Sequence, residues 1–320
     1  VRMARLKANI FQLLFLIIVL AGAVQADAVE DIDKLIARAE MCGLHSDHKQ
    51  AVELYTRAIG LANESGLTKT SFEFLAQLLQ RRGYHKWKAG QPDAYDEVSA
   101  ALELDPRSAE AHRVRGMISL DADQRYNAAL ADLSKSNQLK PNQAETLGWL
   151  ALAQFYNSKF DLAESSAGSA LKLNPEQGEA HMALALTAYV RGQEPKAYDS
   201  AKMVIDGDSE NWQALAILGW AAEARGEQKL AWDASLAAFN GLKSTKPFGD
   251  PFYALAGNTL ARAEYARGHY SASVERSTSV LSFVNDSTEA YINRARAYRK
   301  LGLPQKAAAD DEMARKAAAH

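Results

Sequence analysis

A period of 34 residues runs through this chain. Gly192 and Gly226 are 34 apart, as are Gly268 and Gly302; Ala163, Ala197 and Ala231 keep the spacing, and so do Ala144, Gly178 and Trp212. Pro141 and Pro175 mark the same boundary one period apart. A fixed period of this size means stacked units, each of which buries its apolar face only against its neighbours. Within one unit the apolar residues fall at helical spacing in two runs, Ala144 to Tyr156 and Asp161 to Leu173, with Asn157-Ser158-Lys159 between them. Asn174-Pro175 ends the second run, because proline lacks an N–H and disfavours helical backbone just before it. A length of 320 residues would suggest about two domains, but the period predicts one solenoid over 27–320.

The units share more than their spacing. Ala-Glu opens the first helix (Ala109-Glu110, Ala144-Glu145), and Leu-Gly or Leu-Ala sits in its middle (Leu150-Ala151, Leu184-Ala185, Leu218-Gly219, Leu260-Ala261). A turn glycine follows, then an aromatic at the second helix start (Tyr126, Phe160, Tyr270) and endings such as Ala101-Leu102-Glu103-Leu104-Asp105-Pro106. At these positions the chain resembles the tetratricopeptide repeat family. The resemblance implies an all-α fold, a right-handed superhelical solenoid of about eight helix-turn-helix units starting near residues 32, 70, 109, 144, 178, 212, 254 and 288. Ser46 replaces the turn glycine of the first unit, and the second lacks clean spacing around Gly83 and Gly90. Between the sixth and seventh units the period stretches to 42, and the surplus falls in a turn-rich insertion over 241–251. Asp310, Asp311 and Glu312 charge the last helix, as the end of a solenoid requires.

Residues 1–26 read as a secretory signal. Arg2, Arg5 and Lys7 precede an apolar run from Ile10 to Leu20, and small residues lead to Val24-Gln25-Ala26 before Asp27. The apolar stretch falls short of the roughly 20 residues of a membrane-spanning helix, so cleavage is expected rather than a permanent anchor. An inner-membrane anchor through an uncleaved signal is the alternative. Leu20-Ala21-Gly22 is followed by Ala23, which leaves no thiol for lipid attachment. Val1 ahead of Met3 suggests a non-methionine start codon, hence a bacterial gene and a periplasmic or secreted product.

Composition and motifs argue against most chemistry. From Asp27 onward, 34 basic residues face 39 acidic ones, a poor balance for gripping nucleic acid phosphates. Cys42 is the single cysteine, so no intramolecular disulfide forms. His-Glu-x-x-His, a phosphate-binding glycine loop and Gly-x-Ser-x-Gly are absent. Ser-x-x-Lys occurs at Ser46 and Ser169 without the companion motifs of a penicillin-binding enzyme. No cofactor and no catalysis are expected. Cys42, His45 and His48 are spaced by three and form a remote candidate for zinc or copper; the rival reading makes Cys42 a packing residue and the histidines solvated turn residues. His112 and His181 share the fourth repeat position and are expected to be hydrogen-bonded interface residues.

The resemblance further implies that the first helix of each unit lines a concave peptide-binding groove. Its groove positions carry Arg113, Met117 and Leu120; Leu152, Phe155 and Tyr156; Met182, Leu186, Tyr189 and Val190; and Trp220. These make the middle apolar. Asn258, Arg262, Tyr265, Ile292, Arg296, Arg299 and Lys300 make the far end polar and basic, suited to an acidic group on a partner. The expected function is a non-catalytic periplasmic protein-interaction scaffold that takes a peptide or amphipathic helix in this groove, in envelope assembly or secretion. Three rival readings stand beside it: a membrane-anchored assembly factor using its convex face or the 241–251 loop, a remote one of a metal-binding or enzymatic periplasmic protein, and the same apolar stripe serving only as packing.

Overall fold

Helix starts are set locally. Asp47, Ser71, Asn211, Asp250 and Ser287 each precede a helix, and each side chain accepts a backbone N–H two or three residues on. Pro251 and Pro304 open helices, where a missing N–H costs nothing. The computed structural model describes residues 23–121, 124–244 and 250–319. These form seventeen helices, with no strand among the described residues. They are α1 (Ala23–Leu44), α2 (His48–Glu64), the single turn α3 (Leu67–Thr70), α4 (Phe72–Lys88), α5 (Ala94–Leu104), α6 (Ala109–Asp121), α7 (Tyr126–Leu139) and α8 (Ala144–Tyr156). After these come α9 (Phe160–Leu173), α10 (Gly178–Val190), α11 (Glu194–Gly207), α12 (Trp212–Ala224) and α13 (Gln228–Ser244). The chain closes with α14 (Pro251–Ala266), α15 (Tyr270–Phe283), α16 (Thr288–Lys300) and α17 (Pro304–Ala317). Among the described residues no helix is long and apolar enough to cross a membrane. The expected export signal falls mainly on residues outside the described ones, and its expected end at Ala26 lies within α1.

The eight expected units are visible as eight turns with left-handed backbone. Gly90, Gly192, Gly226, Gly268 and Gly302 occupy them, with φ from 64° to 80°. Ser46, Gln124 and Ser158 hold the same conformation at φ 60°, 51° and 59°, although a side chain there is strained relative to glycine. Six of these turns end their helices through a backbone bond reaching five residues back, such as Gln193 N to Ala188 O (2.8 Å) and Glu227 N to Ala222 O (2.9 Å). In the third unit the bond runs from Arg125 N to Ser119 O, six residues back. That extra residue explains why units three and four start 35 rather than 34 apart.

The second unit is regular in its turn and irregular in its entry. Gly83 and Gly90 stand seven apart, as Gly219 and Gly226 do, and Gly83 packs against Val98 of α5 as Gly219 packs against Ser235 of α13. Its first helix, α4, carries an extra turn at the N-terminus, and Gly66 with α3 fills the lengthened connection before it. The insertion at 241–251 therefore has a counterpart at 65–71. Of the former, residues 245–249 lie outside the described ones; its flanks extend α13 to Ser244 and start α14 at Pro251 under the Asp250 cap.

The chain divides into two compact units, one ending at Asn157 and one beginning at Ser158. The division falls between the two helices of the expected fourth repeat. In the N-terminal unit α1 pairs with α2, α4 with α5 and α6 with α7; in the C-terminal unit α10 pairs with α11, α12 with α13, α14 with α15 and α16 with α17. First helices of successive pairs also touch one another, α4 with α6 and α6 with α8, and α10 with α12, α12 with α14 and α14 with α16. Second helices pack chiefly on first helices, so the row of first helices is the closer-packed, inner row of each unit. Tyr55, Ile32, Leu67 and Leu78 fill the core at the N-terminal end, and Ile217, Phe239, Tyr253 and Leu260 fill that of the C-terminal unit. Each such side chain contributes about 1.5–3 kcal/mol on leaving water.

Candidate partner-binding site

On the inner face of the C-terminal unit, three aromatic side chains meet. Tyr189 near the end of α10 lies edge-on to Trp220 of α12, with centroids 5.0 Å apart, and 6.3 Å from Phe252 at the start of α14. Phe252 is buried, whereas Tyr189 and Trp220 stay half-buried. Burial holds the Tyr189 hydroxyl above its ordinary pKa, and the positive charge of Arg262 acts against that shift. Arg262 itself is gripped from both sides. Its Nε and Nη2 donate to both oxygens of Glu223 on α12 at 2.9 and 2.5 Å, Nη2 also donates to Thr259, and Nη1 pairs with Glu289 on α16. A bidentate guanidinium–carboxylate pair fixes orientation as well as charge. Three successive first helices are thus tied by one arginine. Beside it Asn258 donates through Nδ2 to Glu289 Oε2 and Ser287 Oγ, both at 3.4 Å.

The N-terminal unit carries a related arrangement. Arg113 of α6 pairs with Glu110 on its own helix and with Glu145 on α8. Burial opposes the guanidinium charge, but the two carboxylates outweigh it and hold its pKa above the ordinary value. In the same unit, Tyr126 at the start of the second helix α7 stacks on Tyr156 of α8 at 4.8 Å, and Trp87 of α4 meets Trp149 of α8 edge-on at 6.1 Å.

The residues expected along the groove separate by exposure. Met117, Leu120, Leu152, Met182 and Leu186 are buried, and so is Asn258. Their surface is covered in the free chain, because first helices pack side by side and the apolar positions between them close on each other. Arg113, Phe155, Tyr156, Tyr189, Trp220 and Arg262 are half-buried, while Val190, Arg296 and Arg299 are exposed. The basic end also differs from expectation. Arg262 is occupied by Glu223 and Glu289, and Arg299 pairs with Asp311 of α17; of the three arginines expected to meet an acidic ligand, Arg296 has no ion pair among the described residues. Glu223, Phe252 and Glu289 are the members of the site that sequence reasoning passed over. A signal for Glu289 was present, since Glu110, Glu145 and Glu179 recur at the same second position of their repeats.

The remote metal candidate is not assembled by the fold. Cys42 Sγ faces Gln50 Oε1 at 3.3 Å, His45 Nδ1 bonds the carbonyl of Met41, and His48 Nδ1 meets His85 Nδ1 at 3.0 Å. Among the described residues no three histidine, cysteine or acidic side chains are grouped to hold a metal ion. His85 is buried between Tyr55 and His48, and burial lowers its pKa to about 4. His112 contacts Asp132 at 2.8 Å and His181 the carbonyl of Pro175 at 2.8 Å, so both are hydrogen-bonded packing residues.

Residues 150–209 match the model of a tetratricopeptide repeat family. No curated protein is similar enough in sequence to be matched. Among solved structures, the chain is similar to one in the crystal structure of the APC/C hetero-tetramer Cut9–Hcn1, at 14% identity and a TM-score of 0.54, over 92% of this chain and 74% of that one. It is also similar to pilF of Pseudomonas aeruginosa, at 20% identity and a TM-score of 0.52, over 71% of this chain and 96% of that one. With the eight left-handed turns and the rows of paired helices, these likenesses give the chain a tetratricopeptide-repeat solenoid fold.

Proposed function

We propose that this chain is a non-catalytic protein-interaction scaffold that seats a peptide or amphipathic helix on the inner face of its C-terminal unit. The observation that carries this reading is the half-buried pair Tyr189 and Trp220, backed by buried Phe252 and bordered by the arginine that ties α12, α14 and α16. Rigid aromatic side chains beside a fixed charge network are the composition of an interface centre. The area open there is small, and each anchor contributes about 1.5–3 kcal/mol against an association cost of at least about 4 kcal/mol. The partner must therefore extend along the row of first helices to bind usefully.

The test is crosslinked co-purification from native envelope, comparing wild type with Tyr189→Glu plus Trp220→Glu after circular dichroism shows both folded. A discrete partner retained by wild type and lost by the variant supports the inner face. Partners that persist in the variant sink it and favour the second helices, where Leu162, Leu173 and Met203 are exposed.

The setting we propose is the bacterial envelope, with the N-terminal segment removed on export. That part rests on the basic, apolar and small-residue order of residues 1–26. N-terminal sequencing of the mature protein is expected to begin at Asp27; a mature chain retaining Met3 to Ala26 would overturn it.

A further inference from the structure

We infer that the partner segment presents a basic side chain, lysine or arginine, to the inner face at Glu223, Asn258 and Glu289, next to the Tyr189–Trp220 pair. This rests on the inner-face reading above and names the chemistry of what binds there. Three observations lead to it.

The first is charge. Arg262 stands between two carboxylates, so the trio keeps one net negative charge, and the Glu289 side chain remains 48% exposed. Most of the guanidinium donors of Arg262 already point at Glu223, Glu289 and Thr259, which leaves little with which to grip an incoming carboxylate. The same stoichiometry recurs in the N-terminal unit, where Arg113 stands between Glu110 and Glu145 and both carboxylates are about half exposed, at 51% and 41%. The inner faces of both units are thus acidic at the very arginines that would have received an acidic ligand.

The second observation is Asn258. The residue is 3% exposed, its Nδ2 is turned toward the Glu289 carboxylate, and its Oδ1 has no hydrogen-bond partner among the described residues. Buried acceptors without a donor are rare. The amide end that reaches Glu289 is its donor, and it carries no charge, so the half-exposed carboxylate keeps the capacity to take a cation. An ammonium or guanidinium group carries several donors and one positive charge, and satisfies the half-exposed carboxylate of Glu289. A partner carboxylate brings acceptors only.

The third is the aromatic wall. Tyr189 and Trp220 are half-buried rings in contact with each other, Tyr189 lies near enough to Arg262 to feel its charge, and aromatic faces attract a cation lodged against them. The opposite sign lies farther along α16, where exposed Arg296, Arg299 and Lys300 follow Glu289 by about two helical turns and more. That polarity directs the basic residue of the partner to the Glu289 end.

The test is to pan a phage-displayed random dodecapeptide library on the full chain, then titrate the selected synthetic peptides against wild type, Glu289→Gln, Arg296→Glu and Trp220→Ala. Selected peptides are expected to carry lysine or arginine beside a large apolar residue. Their dissociation constants should rise at least about tenfold in Glu289→Gln, the scale of one hydrogen bond to a charged group, and should fall in Arg296→Glu. Glu289 and Arg296 are exposed enough that both variants should fold, which thermal unfolding checks. Acidic peptides, or basic ones indifferent to Glu289→Gln and Arg296→Glu, overturn the inference while leaving the inner face intact provided Trp220→Ala still abolishes binding. Peptides that bind Trp220→Ala as well as wild type, or no enrichment at all, overturn the inner-face reading and the inference with it.

Discussion

Between α4 and α5 and between α6 and α7 of the N-terminal unit, charges cross the paired helices; between α10 and α11 and between α12 and α13 of the C-terminal unit, alanines fill that interface, while the last pair, α16 with α17, is again joined by charge through Arg294 and Asp310. Arg82 and Lys86 of α4 both reach Glu97 of α5, and Arg115 and His112 of α6 both reach Asp132 of α7. Asp132 is 6% exposed, and although burial works to raise its pKa, the bonds from His112 and Arg115 hold it below the ordinary value. Buried Tyr55 with half-buried Glu40 and Arg81 adds a further polar group. In α10 to α13 the packed faces instead bury Ala183, Ala197, Ala201, Ala216, Ala231 and Ala234, and helices approach until Gly219 touches Ser235. One fold therefore tolerates two kinds of interface. Close packing of small residues depends on shape, whereas buried ion pairs depend on every partner being present.

Breaking one member of a buried network should cost most. Asp132→Ala leaves Arg115 and His112 without their carboxylate and is expected to lower unfolding free energy by about 3–5 kcal/mol, read by urea denaturation. A loss below about 1 kcal/mol would show that water replaces the pair, and the contrast between units would fail. The double change Arg115→Leu with Asp132→Ser installs the residues found at Leu184 and Ser200 of the C-terminal unit. It should recover most of that loss.

Acid should also separate the units. His85 has its pKa lowered to about 4 from an ordinary 6.5 because it is buried, so the unfolded chain binds a proton at higher pH than the folded one. Stability is full above pH 6.5, falls as pH drops toward 4, and levels below that, with a total of up to about 3 kcal/mol. His48 shifts in the same direction through burial and Lys88, partly opposed by Asp47. Protonating both rings would set two N–H donors against each other across the 3.0 Å contact. Hydrogen exchange followed from pH 7 to 4 should show protection lost first in α2 and α4; equal loss throughout would break the comparison.

A smaller effect is expected from filling the close approach in the other unit. A Cβ at Gly219 would overlap the Ser235 hydroxyl and press on its backbone, so Gly219→Ala should cost about 1–3 kcal/mol through forced separation of α12 and α13. Smallest of all, Arg299→Ala removes a pair whose side chains are 51% and 39% exposed. Thermal unfolding should change by no more than about 0.5 kcal/mol in free energy. A large loss there would mean that the exposed pair acts together with the Arg294–Asp310 pair that already joins the last two helices.

Legibility in the sequence followed consensus. The model match over residues 150–209 lies among the more regular repeats, while the charged α4 to α7 region departs from them and still forms the same helix pairs. The irregular second repeat was visible as a disturbance around Gly83 and Gly90, yet its cause lay upstream in the extra turn of α4 and in α3. At the candidate site, Tyr189, Trp220 and Arg262 were readable from repeat position alone. Phe252 was hidden because it borders the 241–251 insertion, where the period carries no information.

Turns and helix pairs are local properties: a left-handed residue at each of eight positions, capping side chains at helix starts, and apolar spacing within about 34 residues determine them. These the sequence by itself settled. Which groove residues are covered, and which charges are already spent, only the tertiary structure decided. Arg262 meets a carboxylate 39 residues before it and another 27 residues after it, and electrostatic pairing of this kind follows distance in space rather than position in the chain. An arginine that reads as a receptor for acid in one dimension is neutralised, and outnumbered, in three.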